Sequence, residues 1–584
     1  MEISFQEKAF SKRSKAIILA TALLQGFLLF YLYKFVFKNE WFADHRVITH
    51  ILSLLSVFIP TTIILTFRQS DHSRWYWLFI VGLAIVLSIF GWHLGSILGE
   101  RGSHASLAWL FPDGAFFIIL VLWFKACFFL KGYLHEDKRI ASYPTLFGYS
   151  WHNFITLSLS YLFALIFFGI LMLWAGLFKI VEIDFFNELF TKEWFLYPVL
   201  SCVIAYGIIL LRTQVNAVGT IQRILRILLS GLLPILIIIA LLFVAVLPFT
   251  GIGLIWEKGY GSGVILGFLY VTLFFFNAVY QDGSENPYNE KISLVIKYAV
   301  SVLLIFCALC FYGLLLRVQQ YGWTEDRLWL ATLTLIATSY VVLYSIGIFF
   351  KKESWSEFFG KSNTVMALAV MLLLFLILTP IMSFKKISAQ SQYDRFISGA
   401  VSAKNFDYAY VSRTGKYGKE KLLLLKEHED IKDNTELLAE VELSLKGSRW
   451  YARRALTLAE GIKLIEVYPQ ASTVDQKVWT LLEQQMSYGC QKGQCFIVQY
   501  DLNGDQKAET LFFKNTSNES YSITFIEQRE GQYFTSNPLY GAKLNKDVIK
   551  KIKRLEVSLK EPKWPDLYVD EVQIPFNKNT ANQP

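Results

Sequence analysis

Charge is scarce over the first 384 of the 584 residues, where 48 Asp, Glu, Lys and Arg fall, against 55 in the last 200. That scarcity excludes a single water-soluble core, since a soluble chain of this size divides into domains with more charge between them. The patterns that cradle phosphate or activate water or serine are also missing. There is no P-loop, HExxH or GxSxG, so nucleotide-driven and hydrolytic chemistry have no support. No apolar run carries the dense carboxylate or arginine array of a proton pump or voltage sensor, and no clear inverted repeat is visible. Basic-aromatic RNA motifs and a helix-turn-helix are absent as well. The net charge of +9 therefore reads as membrane topology and headgroup contact, and nucleic acid is rejected as a partner.

The first 384 residues contain apolar runs long enough to cross about 30 Å of hydrocarbon as helix. They fall at 16–37, 47–67, 75–98, 105–130, 151–178, 194–211, 227–249, 262–280, 294–316, 328–350 and 362–384, eleven in all. Lys12, Arg13 and Lys15 precede the first run and no small-residue cleavage site follows it, which predicts an uncleaved first membrane helix. Trp75, Trp77, Trp109 and Trp194 lie near run ends, as interfacial residues do. With the N-terminus inside, sixteen Lys and Arg fall in inner gaps and nine in outer ones. An odd number of spans then carries the chain after Phe384 to the outer face, although Lys385 and Lys386 just beyond the last span pull the other way. The expected fold is an all-α polytopic bundle over 1–384 followed by a soluble, extracytoplasmic α+β domain over 385–584.

Ionisable and amide groups inside the runs are the candidates for function. Lys34 and Lys125 are placed near run ends and read as snorkelling cations. His93 lies in Gly91-Trp92-His93-Leu94-Gly95, where glycines let two helices approach closely. It is either an interhelical hydrogen-bonding residue or a proton-handling group. Asn277 ends an aromatic run and either ties a neighbouring helix or meets a polar substrate. Cys307 and Cys310 read as packing residues despite their CxxC spacing.

Between the ninth and tenth runs, Tyr321-Gly322-Trp323-Thr324-Glu325-Asp326-Arg327 crowds aromatics, acids and arginine into one connection. Thr324 is expected to cap the next helix, with Glu325 and Asp326 in its favourable first turn. Tyr321, Trp323, Glu325, Asp326 and Arg327 also form a candidate binding loop.

In the tail, Asn434–Lys446 and Val474–Ser487 have helical spacing, Ile462–Val467 and Ser520–Glu527 are strand-like, and Lys546–Val557 is a basic amphipathic helix. Cys490 and Cys495 suit an extracytoplasmic disulfide. Asp501, Asn503, Asp505 and Glu509 alternate as at the start of a calcium loop. The sixth place is not glycine and the twelfth is Phe512, however. A hairpin turning on Asn503-Gly504 is the preferred reading.

Leu173-Trp174-Ala175-Gly176-Leu177-Phe178, the Asn277–Gly283 segment and Tyr321–Arg327 resemble the bacterial multi-pass membrane proteins grouped as domain of unknown function 4153. The likeness covers about 150–400 and runs into Phe406-Asp407-Tyr408 and Gly415-Lys416-Tyr417-Gly418. It implies a bacterial cytoplasmic (inner) membrane location and supplies no catalytic residues. The expected function is non-enzymatic and transport- or envelope-related. The alternatives are a sensor or scaffold working through the tail, and a membrane enzyme acting on lipid or glycan with Glu325 or Asp326 as base. No cofactor is expected. The expected partners are the lipid bilayer and either an envelope protein or a small solute.

Overall fold

The computed structural model describes residues 11–36, 45–68, 74–97, 114–257, 261–283, 286–351, 354–445, 462, 465–470, 472–486, 490, 495–517, 520–529, 532–535, 539–557, 567–569 and 572–574. Trp109 and the start of the fourth predicted span lie outside them. Eleven helices among the described residues are long and apolar enough to cross a membrane. They are α1 (Lys12–Val36), α2 (Arg46–Thr66), α3 (Arg74–Ile97), α4 (Ala115–Glu136), α5 (Tyr143–Ile180), α6 (Glu193–Thr213), α7 (Val215–Thr250), α8 (Gly261–Tyr280), α9 (Glu290–Tyr321), α10 (Glu325–Phe350) and α11 (Trp355–Ile377). Chain contacts divide the protein into two compact units, Met1–Gly447 and Ser448–Pro584.

Within the first unit the apolar side chains form two large clusters. One gathers α1, α2, α3, α4 and α6 around Leu54, Phe58, Phe90 and Trp123. The other gathers α7, α8, α9 and α10 around Phe276, Phe306, Val341 and Tyr344. Helix α11 contributes to both, through Met366 and Val370 to the first and Phe359 to the second. The glycines predicted to allow close approach do so. A Cβ on Gly91 would lie 2.7 Å from Ile51 Cα, and one on Gly95 would lie 2.6 Å from Val47 Cα. Helices α2 and α3 therefore touch backbone to backbone.

The fourth span is displaced from its predicted place. Gly114 takes a left-handed φ of 74° immediately before Ala115, a conformation that cannot continue a helix and that glycine adopts without penalty. Helix α4 starts there and runs to Glu136, six residues past the predicted end at 130. Helix α9 is interrupted at Ser301 and Val302, between Glu290–Val300 and Leu303–Tyr321.

Helices continue beyond the last span. Phe384–Ile397 (α12), Tyr408–Arg413 (α13), Lys416–Lys426 (α14), Glu429–Lys432 (α15) and Thr435–Leu445 (α16) belong to the first unit. Their small core is Phe396, Phe406, Tyr408, Leu422, Ile431 and Val441. The chemical break at Phe384 and the packing break at Gly447 are thus separate.

The second unit is α+β. Strands β1 (Glu466–Tyr468), β2 (Cys495–Tyr500), β3 (Glu509–Ser517), β4 (Ser520–Arg529) and β5 (Gln532–Thr535) lie in that order, and β6 (Leu539–Lys543) pairs with β4. Among the described strands only β1 and β2 pair in parallel, and α17 (Gln476–Met486) lies between them in sequence. Residues of β2 alternate between two cores. Cys495 and Ile497 pack with Val478, Trp479 and Leu482 of α17, while Phe496 and Val498 share the other face with Ile549 and Ile552 of α18 (Lys546–Lys553). A two-stranded sheet, β7 (Leu567–Val569) with β8 (Val572–Ile574), completes this unit.

Candidate functional site

A cavity of about 850 Å³ opens among α2, α4, α5, α8, α10 and α11, within the range of about 300–1,000 Å³ usual for small-molecule sites. Its walls are mostly aromatic, with Phe58, Phe116, Trp123, Phe124, Phe147 and Phe274 prominent. Trp123 is held by its indole N–H, which donates to Thr62 Oγ1 at 2.7 Å, and it also lines a smaller cavity of about 370 Å³ against α3 and α11.

The polar groups of the large cavity come from elements far apart in sequence. The Tyr344 hydroxyl lies 2.8 Å from the Asn277 amide and 2.6 Å from the Asn363 amide, and its single proton goes to one of them while the other donates to it. The Asn363 amide is hydrogen-bonded to the Tyr143 hydroxyl at 3.0 Å, and Asn277 Nδ2 donates to Leu273 O at 2.9 Å. Asn277 therefore ties α8 to α10, and it also lines the cavity. Asn363, Tyr143 and Tyr344 were not singled out from sequence. Tyr344 and Asn363 sit in apolar runs and Tyr143 lies ahead of one, and only the helix crossing makes them neighbours.

Lys125 lines the same cavity. It is the eleventh of 22 residues in α4, so about 15 Å of helix separates it from either end at 1.5 Å per residue. The helix runs six residues further past Lys125 than the predicted run ending at 130. Its ammonium stands over the Phe128 ring, 6.0 Å from Nζ to centroid. A lysine at the centre of a membrane helix costs about 2.5–3.5 kcal/mol on insertion scales, so its retention calls for a use. Two other buried cations are tied to the protein. Lys131 donates to Asn153 Oδ1 at 2.6 Å, and the fully buried Arg212 donates to the Ile64 and Phe67 carbonyls at 3.3 Å each, at the C-terminal end of α2. His93 is 2% exposed, and its Nδ1 has no hydrogen-bond partner among the described residues.

The Tyr321–Arg327 loop is where α12 and α13 dock. Gly322 ends α9 with φ 70°, and a side chain there would strike Arg395. Gln392 Nε2 donates to Tyr321 O at 3.0 Å and to Trp323 O at 2.9 Å, and Arg395 Nη2 donates to Gln320 O at 2.8 Å. Trp323 N donates to Ser391 Oγ at 3.0 Å, and Glu325 N donates to the Tyr410 hydroxyl at 3.0 Å. Thr324 stands at the N-cap of α10 as expected, yet its side chain makes no capping bond. Tyr410 takes up a donor of the first turn instead, and burial pushes its hydroxyl pKa up, keeping it neutral. Glu325 Oε2 lies 3.6 Å from Lys385 Nζ. Arg327 Nη1 donates to Gly322 O at 2.7 Å, and its guanidinium stands over the Tyr321 ring. Asp326 sits beside them in the first turn of α10.

In the second unit Cys490 and Cys495 form a disulfide. The Asp501–Glu509 segment is a hairpin connection, but not a two-residue one. Tyr500 pairs with Glu509, leaving 501–508 as the loop. Asp501 accepts from the Gly504 and Gln506 amides at 2.7 and 2.9 Å, and Asn503 accepts from Asp505 N at 2.9 Å. These side chains take the backbone donors that a strand ladder would use. Asp501, Asp505 and the buried Glu509 bring carboxylate oxygens within 4.8 Å of one another, and Asp505 and Glu509 accept the Lys507 and Leu502 amides.

The family model described as Domain of unknown function (DUF4153) matches residues 51–423. The chain belongs to this family. The match begins about a hundred residues earlier than the motifs suggested, and it encloses the DUF4153 chain's large cavity and the docking loop with its α12 and α13 partners. No curated protein and no solved structure matches the chain.

Proposed function

We propose that this DUF4153 protein is a non-enzymatic carrier of the bacterial cytoplasmic membrane whose bundle takes a largely apolar solute into the cavity bounded by α4 and α5. The observation that carries this reading is the aromatic cavity of about 850 Å³ with its few convergent polar groups. All of its lining residues belong to helices of membrane-crossing length. The proposed orientation has the N-terminus inside and the chain after α11 outside. The lysine and arginine bias between gaps supports it, as does the Cys490–Cys495 disulfide, a bond that persists in oxidising compartments.

Filling the cavity tests the reading. Ala367 lines it from α11, and Ala367→Trp should abolish binding of an apolar fluorescent probe by the purified full-length protein. Binding equal to wild type in a folded Ala367→Trp variant would sink the proposal.

A second reading, a sensor or scaffold acting through the C-terminal region, is favoured by the docking of α12 and α13 on the Tyr321–Arg327 loop. That contact ties the chain after the last span to the bundle.

A further inference from the structure

We infer that the cavity selects a single-chain amphiphile with an anionic head, carboxylate or phosphate, and that Lys125 is its counter-ion. The inference rests on the cavity being a binding site. What it adds is the sign of the ligand's charge, and that follows from an inventory of the lining.

The cavity has one cation, Lys125, and no aspartate or glutamate among its lining residues. No described carboxylate pairs with Lys125 elsewhere, and its partner is the face of Phe128. The remaining polar atoms of the lining are uncharged. Asn277 and Asn363 share the one Tyr344 hydroxyl, and each makes one further bond to the protein. Each therefore keeps a second amide hydrogen. The Tyr143 hydroxyl is hydrogen-bonded to the Asn363 amide, and Tyr340 adds another hydroxyl to the lining. Ser150, Thr61 and Thr364 donate to carbonyls of their own helices, which leaves their oxygens as acceptors.

A lining with one ammonium, no carboxylate and spare amide N–H groups complements an acceptor-rich anion, and it offers a ligand cation no opposite charge. Around this polar set the wall is aromatic and aliphatic, which fits a hydrocarbon chain. The two requirements meet in one molecule only if an anionic head is attached to an apolar tail.

The test titrates full-length protein in a neutral detergent with a polyene fatty acid and, separately, with the alcohol of the same chain. Energy transfer from tryptophan reports binding. Wild type should bind the acid roughly tenfold or more tightly than the alcohol. Lys125→Gln should bring the two affinities together through a loss of acid binding, and Lys125→Arg should keep the preference for the acid. Hexadecyl phosphate should displace the acid from wild type and not from Lys125→Gln. Equal binding of acid and alcohol by wild type, or an undiminished preference in Lys125→Gln, would overturn the anion assignment while leaving the cavity as a site. Failure of wild type to bind either probe, or binding that Ala367→Trp does not alter, would overturn the cavity reading itself, and the inference with it.

Discussion

Gly91 and Gly95 meet backbone atoms of α2 rather than flexible side-chain ends, so a methyl group there has nowhere to go. Gly91→Ala should destabilise the bundle by about 1–3 kcal/mol, read as a lower unfolding temperature in detergent. Gly82→Ala, on the same helix with nothing near its Cβ, is the control and should leave it unchanged. Asp475 gives a pH prediction in the second unit. The Lys477 amide and the Tyr533 hydroxyl hydrogen-bond its carboxylate and hold its pKa below the usual range. A depressed folded pKa means that the stabilisation is present above the ordinary carboxylate range and is lost as pH falls through the folded value. Protection of α17 amides, corrected for intrinsic exchange, should decline on acidification, and Asp475→Asn should flatten that decline. The glycine spacing was readable from sequence because helical periodicity alone puts Gly91 and Gly95 on one face. Asp475 was not, because Tyr533 reaches it from 58 residues away.

At the scale of elements, α12 and α13 depend on the loop between α9 and α10. Ser391 and Tyr410 contact that loop from 68 and 85 residues further along the chain. Tyr410→Phe keeps the ring but leaves the Glu325 amide without its partner, a loss of about 1–3 kcal/mol if the amide stays buried. Hydrogen exchange should then quicken across 384–413 and the first turn of α10. Exchange unchanged from wild type would show that the contact holds nothing. The loop stood out in sequence by its crowded aromatics and charges, but its partners did not, since Ser391 and Gln392 look like ordinary surface residues. Helix α4 teaches the same lesson in reverse. Hydropathy located an apolar run, and the backbone at Gly114 decided where the helix begins and hence that Lys125 lies mid-span.

At the scale of the whole molecule, the proposed orientation, drawn from eleven candidate spans and an inward bias of Lys and Arg, puts Ser391 on the outer face. A cysteine introduced at Ser391 should react with a membrane-impermeant thiol reagent in intact spheroplasts, and protection until lysis would reverse the proposed orientation. The chemical composition changes at Phe384, but packing does not break until Gly447. The five helices between them share the first unit with the membrane helices. A truncation test of the C-terminal region should therefore cut after Gly447, since a cut at 384 also removes the partners of the Tyr321–Arg327 loop.

The sequence by itself determined the membrane class, the span count, the α+β character of the second unit and the family. These follow from local quantities: hydropathy over a membrane thickness, periodicity, and short motifs. Only the tertiary structure decided that Asn277, Asn363, Tyr143 and Tyr344 form one network, that Lys125 shares their cavity, and that α12 and α13 close over the loop. The reason is physical. In an apolar helix almost every face is hydrophobic, so hydropathy shows that the helix is buried but not which neighbour covers which face. That choice belongs to packing between segments hundreds of residues apart, and the cavity is one of its products.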